Sequence, residues 1–215
     1  MSVEIRLLIV DDHPLFRQGV RFYLESIPEL ELIGEVENGK VALSFLAEHS
    51  VDLILMDLQM PGMDGVETTK RIKEAWPETK VLVLTSFNSW DQVYTALKSG
   101  ASGYILKDAP PEELVAAIKA VANGGLYLGT QVANEILSPI GSEKETVGNK
   151  LPEPLTNREL EVLRQIGRGL GNRAIASELV LSEKTVKTHV ANILQKLQVT
   201  NRTQAALYAI RHNLM

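Results

Sequence analysis

Five short apolar runs, each followed by an amphipathic stretch, constrain the first 125 residues more than any other feature of the chain. The runs fall at 7–10, 32–36, 53–56, 81–84 and 104–106; the stretches at 15–26, 41–48, 66–75, 92–98 and 111–123 repeat apolar residues at three- and four-residue steps. Continuous apolar strands suit a parallel sheet buried on both faces, and the longer period is that of helices lying on those faces. The pattern predicts a doubly wound α/β domain of five strands and five helices, for which 2-1-3-4-5 is one common strand order.

The chain has 215 residues, room for one or two domains. With 45% hydrophobic and 23% charged residues it is globular in make-up, neither disordered nor fibrous. It has no cysteine, which removes disulfides and thiolate metal sites and favours a cytoplasmic protein. No apolar run approaches the roughly 18 residues of a membrane span, so no membrane contact is expected. The N-terminus, with Glu4 and Arg6, reads as a strand rather than a signal peptide. The net charge of −5 is unevenly spread: residues 1–125 carry −8, residues 126–155 carry −2 and residues 156–215 carry +5. An acidic front and a basic back suggest two domains, the second facing a polyanion, although surface charge can also segregate by chance.

In a doubly wound sheet, ligands bind at the carboxyl ends of the strands. There the sequence has Asp11 and Asp12 after strand 1, Asp57 after strand 3, Thr85 and Ser86 after strand 4, and Lys107 after strand 5. In the order 2-1-3-4-5 these residues converge. Three clustered carboxylates repel one another unless a cation lies among them, and Mg²⁺, a hard ion that takes oxygen ligands, fits. Any one of these aspartates taken alone reads equally as a helix cap.

Residues 5–125 resemble the receiver domain of a two-component response regulator, a flavodoxin-like fold. The matching pieces are Asp11-Asp12, Asp57 followed by Met60-Pro61-Gly62-Met63-Asp64-Gly65, Thr85-Ser86, and Tyr104-Ile105-Leu106-Lys107. The resemblance implies that Asp57 is the phosphoacceptor of a sensor histidine kinase. It implies that Asp11, Asp12, Asp57 and the backbone carbonyl of Gln59 hold Mg²⁺, that Thr85 binds a phosphoryl oxygen and that Lys107 pairs with the phosphoryl group. The chemistry agrees: an ionised carboxylate attacks phosphorus, and phosphoryl transfer needs mainly positioning and positive charge. Tyr104 matches an aromatic switch position, rotating inward as Thr85 moves to the phosphoryl group; its other reading is a strand aromatic packing on a neighbour. Gln59 and Phe87 match positions that tune aspartyl-phosphate lifetime, and Phe87, unable to orient a water, implies slow self-dephosphorylation. Asp108 follows Lys107 where many receivers have Pro, a departure resembling the NarL/FixJ subgroup.

Residues 126–153 read as a linker with a possible short helix at 130–137, loop-rich from 138 onward. Residues 154–215 read as a small all-α domain. Thr156-Asn157-Arg158-Glu159 has capping-box form, with Leu155 and Leu160 as a hydrophobic staple. Leu160, Leu163 and Ile166 make an apolar stripe, with Val162 beside it, and glycines at 167, 169 and 171 end that helix. Asn172, Ser182 and Asn201 are the expected N-caps of three further helices, the second at 183–197 and the last from about 202 to 211. On the 183–197 helix, Val186, Val190, Ile193, Leu194 and Leu197 fall on a core side, whereas Lys184, Lys187, Thr188, Ala191 and Gln195 fall on a basic side that suits a major groove. A solvated face with two lysines is the plainer alternative.

The segments 155–159, 172–176 and 181–189 together resemble the LuxR-type helix-turn-helix domain, and both halves together identify the chain as similar to the NarL/FixJ response regulators. By position, Lys187, Thr188 and Ala191 would face bases, Ala191 by contact with a thymine methyl where relatives have Lys or Arg. Ser182, Thr185, His189 and Asn172 would lie near phosphates, joined by Lys184 and Arg173. The last helix would serve dimerisation on DNA. The four histidines show no metal spacing, and Trp76 and Trp90 read as structural or partner-facing. The resemblance therefore implies a transcription factor, not a turnover enzyme beyond self-phosphorylation and self-dephosphorylation. Its partners are a sensor histidine kinase, double-stranded DNA, a second copy when active, and RNA polymerase. The charge split adds one expectation, that the acidic receiver masks the 183–197 helix at rest. The competing readings are a phosphorylation-independent regulator and a protein-interaction module with a non-functional DNA-binding domain.

Overall fold

The structure is a computed structural model that describes residues 5–86, 90–137, 154–212 and 214. The loop-rich part of the expected linker, 138–153, and Phe87 lie outside the described residues. The chain divides into two compact units, Met1–Ala122 with Tyr127–Ala133, and Asn123–Leu126 with Asn134–Met215.

The first unit is built on a parallel sheet. Its strands are β1 (Ile5–Val10), β2 (Leu30–Val36), β3 (Leu53–Met56), β4 (Lys80–Thr85), β5 (Gly103–Leu106) and β6 (Tyr127–Leu128), in the order β2-β1-β3-β4-β5-β6. The helices between them are α1 (Pro14–Leu24), α2 (Gly39–Glu48), α3 (Gly65–Ala75), α4 (Trp90–Lys98) and α5 (Pro111–Ala122), and α6 (Thr130–Leu137) follows the last strand. The five expected strands and their order are present. β6 is an addition the sequence did not announce; two residues are too short to show a period. It pairs Gly103 with Tyr127 and Tyr104 with Leu128, and the Gly129 N–H donates to the Tyr104 carbonyl at 2.9 Å. β6 and the expected short helix both fall within residues 126–153.

Each strand serves both faces, because successive side chains point to opposite sides. Leu7, Ile9, Leu53, Leu55, Leu82, Leu84 and Ile105 pack with Val20 and Leu24 of α1 and Leu114, Ile118 and Val121 of α5. Leu8, Val10, Ile54, Met56 and Val81 pack on the other side with Ala42 and Leu46 of α2 and Ile72 of α3. α2 and α3 are capped by their N-cap side chains: the Asn38 amide oxygen accepts from the Val41 N–H, and the Asp64 carboxylate from the Glu67 N–H. This double-sided core fixes the strands and so fixes what stands at their ends.

Among the described residues, the second unit holds four whole helices, α7 (Asn157–Gly167), α8 (Asn172–Glu178), α9 (Glu183–Leu197) and α10 (Arg202–Arg211). Val162, Leu163, Ile166, Ile175, Val186, Ile193, Ala205, Ala206 and Ala209 form its core. The capping box is complete, since the Thr156 side chain accepts from the Glu159 N–H while the Glu159 carboxylate accepts from the Thr156 N–H. Ser182 and Asn201 cap α9 and α10 as expected. Two details differ. The buried stripe of α7 runs through Val162, Leu163 and Ile166, with Leu160 only half-buried, because the adjacent pair 162–163 points inward. Gly171, not Asn172, is the N-cap of α8; it makes no side-chain cap bond, and Asn172 is the first helical residue.

Candidate functional site

The carboxyl edge of the sheet gathers the residues marked from sequence. Asp11 and Asp57 directly follow β1 and β3, which are neighbours, and Lys107 directly follows β5. The Lys107 Nζ lies 2.7 Å from Asp57 Oδ2 and 2.7 Å from Asp11 Oδ2, and both carboxylates are 3% exposed. One ammonium thus bridges two buried carboxylates, and it also stands 4.7 Å from the centre of the Phe16 ring. Asp57 is pinned from its backbone: its N–H donates to the Val10 carbonyl at 2.9 Å, and the Gln59 N–H donates to its Oδ1 at 3.3 Å.

Gly65 explains why the loop after Asp57 can close so tightly. A Cβ at Gly65 would stand 2.1 Å from the Asp57 carbonyl oxygen, and the Gly65 N–H donates to the Leu58 carbonyl at 3.0 Å. Thr85 is buried at the end of β4, and among the described residues its Oγ1 has no hydrogen-bond partner. Its carbonyl accepts from the Lys107 N–H at 2.8 Å, which ties the hydroxyl's strand to the lysine. Tyr104 is wholly buried in β5; burial, and then the Asp57 charge, push its phenol well above its ordinary value. The aromatic expected to rotate inward is therefore already inside.

His13 is the residue the sequence reading missed. It showed no metal spacing, yet its Nδ1 lies 2.8 Å from Asp12 Oδ1 and 3.2 Å from Asp11 Oδ1. The ligand atoms of Asp11, Asp12, His13 and Asp57 all lie within 4.8 Å of one another. The cause is a local turn in which the His13 N–H donates to Asp11 Oδ1 at 2.8 Å, folding the ring back on the carboxylates. Its position directly after Asp11-Asp12 was the available signal. Beside the cluster a cavity of about 590 Å³ opens between Asp12, Gln59, Met60, Asp64 and Asp91.

In the second unit, α9 separates its two faces as its spacing predicts. Val186, Ile193 and Leu197 are buried and Val190 and Leu194 half-buried, whereas Lys184, Lys187, Thr188, Ala191 and Gln195 are exposed. Lys187 lies 3.5 Å from Glu183, a surface pair that binds it weakly. Arg173 is exposed and Asn172 half-buried. Ser182 and Thr185 join their hydroxyls at 2.7 Å at the start of α9. His189 is half-buried, and its Nδ1 has no partner among the described residues.

Comparison with known proteins matches both domains. The family described as "Response regulator receiver domain" matches residues 7–119, and "Bacterial regulatory proteins, luxR family" matches residues 153–209. The chain is 45% identical over 212 residues to the transcriptional regulatory protein LiaR of Bacillus subtilis, covering 98% of this chain and 99% of LiaR. It is 43% identical over 213 residues to the response regulator protein VraR of Staphylococcus aureus, covering 99% and 100%. Among solved structures it is similar to the Salmonella typhimurium response regulator RcsB, with TM-score 0.61, 29% identity and coverage of 97% and 98%. A second RcsB structure, described as two dimers bound to two parallel DNAs, matches with TM-score 0.59, 27% identity and coverage of 95% and 97%. From the paired domains, their full-length relatives and the sites they carry, the chain belongs to the NarL/FixJ-type two-component response regulators, which join a receiver domain to a LuxR-type DNA-binding domain.

Proposed function

We propose that this DNA-binding transcriptional regulator is switched by phosphorylation of Asp57, received from a sensor histidine kinase. The observation that carries the reading is the buried Thr85 hydroxyl, without a partner among the described residues, at the edge where Lys107 bridges Asp11 and Asp57. A buried polar group left unpaired costs about 1–3 kcal/mol, and a phosphoryl oxygen on Asp57 offers it an acceptor. In the transfer, an Asp57 carboxylate oxygen forms the new O–P bond as the donor histidine's N–P bond breaks. Lys107 turns its charge from the two carboxylates to the phosphoryl oxygens, and Thr85 moves to donate its hydroxyl. Tyr104, packed in β5, senses that movement and alters the face made by α4, β5 and α5.

The residues present suit Mg²⁺, because three carboxylates converge with hard oxygen donors. Asp11, Asp12, Asp57 and the Gln59 carbonyl would hold it. When bound, it supplies positive charge that offsets repulsion between the carboxylates and the incoming phosphoryl group. With Phe87 two positions after Thr85 the aspartyl phosphate should persist; loss within seconds in the isolated protein contradicts this.

The domain boundaries we infer are 1–125 for the receiver, 126–153 for the connection, whose β6 extends the receiver's sheet, and 154–215 for the DNA-binding domain. On DNA, Lys187, Thr188 and Ala191 face bases, while Lys184, Arg173, Asn172, Ser182, Thr185 and His189 lie toward phosphates. Phosphorylation releases or pairs the helix-turn-helix domains on a two-fold site, with recognition helices about 34 Å or a multiple apart. The description of RcsB dimers on DNA supports this. RNA polymerase is the downstream partner and the cytoplasm the setting.

The test is DNA selection with the full chain, with and without a phosphodonor and Mg²⁺, using Asp57→Asn as control. A two-fold motif enriched only with phosphodonor, and absent in the variant, is the expected result. Equal enrichment in every sample removes phosphorylation as the control. No enrichment despite normal labelling of Asp57 favours a protein-interaction module.

A further inference from the structure

Arg202, the first residue of α10, is a half-buried cation that the contacts above do not use. Its Nη1 donates to Asn172 Oδ1 at 2.7 Å and its Nη2 donates to the Leu170 carbonyl. Its Nε is buried and has no partner among the described residues. Both acceptors that it has are neutral, and burial draws the guanidinium down to about 10, so it stays charged at neutral pH. A buried charge is costly unless an opposite charge answers it. No described carboxylate does so, and residues 156–215 carry a net +5.

Asn172 defines the chemistry that is left over. A guanidinium only donates, so the end of Asn172 that faces it is the carbonyl oxygen. The other end is an amide nitrogen, which offers N–H donors and no acceptor. The complementary ligand accepts hydrogen bonds, and one with negative charge also answers the guanidinium. A DNA backbone phosphate meets both conditions. Asn172 is half-buried and stands directly before the exposed Arg173.

We propose that Arg202 is a positioning residue of the DNA interface, holding the Asn172 carbonyl inward so that its amide N–H groups meet a backbone phosphate. The proposal rests on the DNA-binding reading above and adds a residue that touches no DNA itself. Because the contact is to phosphate, its loss weakens binding to all sequences alike.

The test measures binding of the phosphodonor-treated full chain to a random-sequence DNA duplex at several salt concentrations. Asn172→Ala should bind about tenfold more weakly, and Arg202→Gln by a similar factor. The double variant should lose no more than either single one, because both remove the same contact. Arg202→Lys should recover part of the affinity. Asn172→Asp separates this role from a merely structural one. Its carboxylate pairs with the guanidinium, so the helix-turn-helix unit should melt at a higher temperature while DNA binds more weakly. Single losses that multiply in the double variant overturn the positioning role. Wild-type affinity in Asn172→Ala, with Lys184→Ala still weakened, overturns the proposal alone; wild-type affinity in both overturns the DNA-binding reading beneath it. If Arg202→Gln does not fold, the two Asn172 variants decide.

Discussion

A single methyl group at residue 65 should disable the proposed phosphorylation site. The Cβ of an alanine there would stand 2.1 Å from the Asp57 carbonyl oxygen and 2.8 Å from the Leu58 Cα. Both are backbone atoms, so relief requires moving the segment that carries Asp57. Gly65→Ala should destabilise the receiver by about 1–3 kcal/mol. It should also slow labelling of Asp57 by a phosphodonor roughly tenfold or more, since small misplacements of reacting groups are costly. A folded variant labelled at the wild-type rate contradicts the account. At this scale, what could be read from sequence depended on whether a residue's place follows from a strand end. Asp11, Asp57 and Lys107 meet because β1, β3 and β5 end together. His13 and Arg202 were illegible because their positions depend on a turn and on a contact 30 residues away in the chain.

Elements with their own internal signals were legible, and those defined by a partner were not. The strands announce themselves as apolar runs and α7 as a capping box. β6 has no period to read and exists because β5 offers it an edge. A fragment ending at residue 125 loses that cover, whereas one ending at 137 keeps it and α6. The shorter fragment should melt at a lower temperature and aggregate more readily, as exposed strand edges do; equal behaviour would mean that β6 adds nothing. For α7 the informative residue is Glu159, 4% exposed and 3.0 Å from Lys196 of α9. Burial alone would raise its carboxyl, but bonds from the Thr156 backbone and Lys196 outweigh that and hold it below the ordinary value. A lowered carboxyl stabilises the fold above its unfolded value and loses that contribution as pH falls through the folded one. Glu159→Gln should therefore cost about 1–3 kcal/mol at neutral pH. In thermal unfolding the gap between variant and wild type should close as the pH drops below about 4, beneath the ordinary glutamate value. A gap that persists in acid would assign the loss to packing.

Over the whole molecule, charge is divided by task. The chain is −5 overall, yet residues 156–215 carry +5, and α9 exposes Lys184 and Lys187. Binding to DNA should weaken with salt, with a log–log slope of about −2 per subunit if Lys184 and Arg173 each neutralise one phosphate. Lys184→Ala should reduce that slope by about 1. A flat salt dependence would leave no phosphate contacts to account for. That split was visible in composition, whereas the connection between signal and output was not. The Tyr104 carbonyl accepts from the Gly129 N–H at 2.9 Å, and α6 begins at the next residue, Thr130. In mechanical terms, the chain running on from β6 is clamped to the Tyr104 peptide. Under the switch proposed above, a displacement of that peptide would act on the outgoing chain across this one hydrogen bond, as a pull on a short stiff cord.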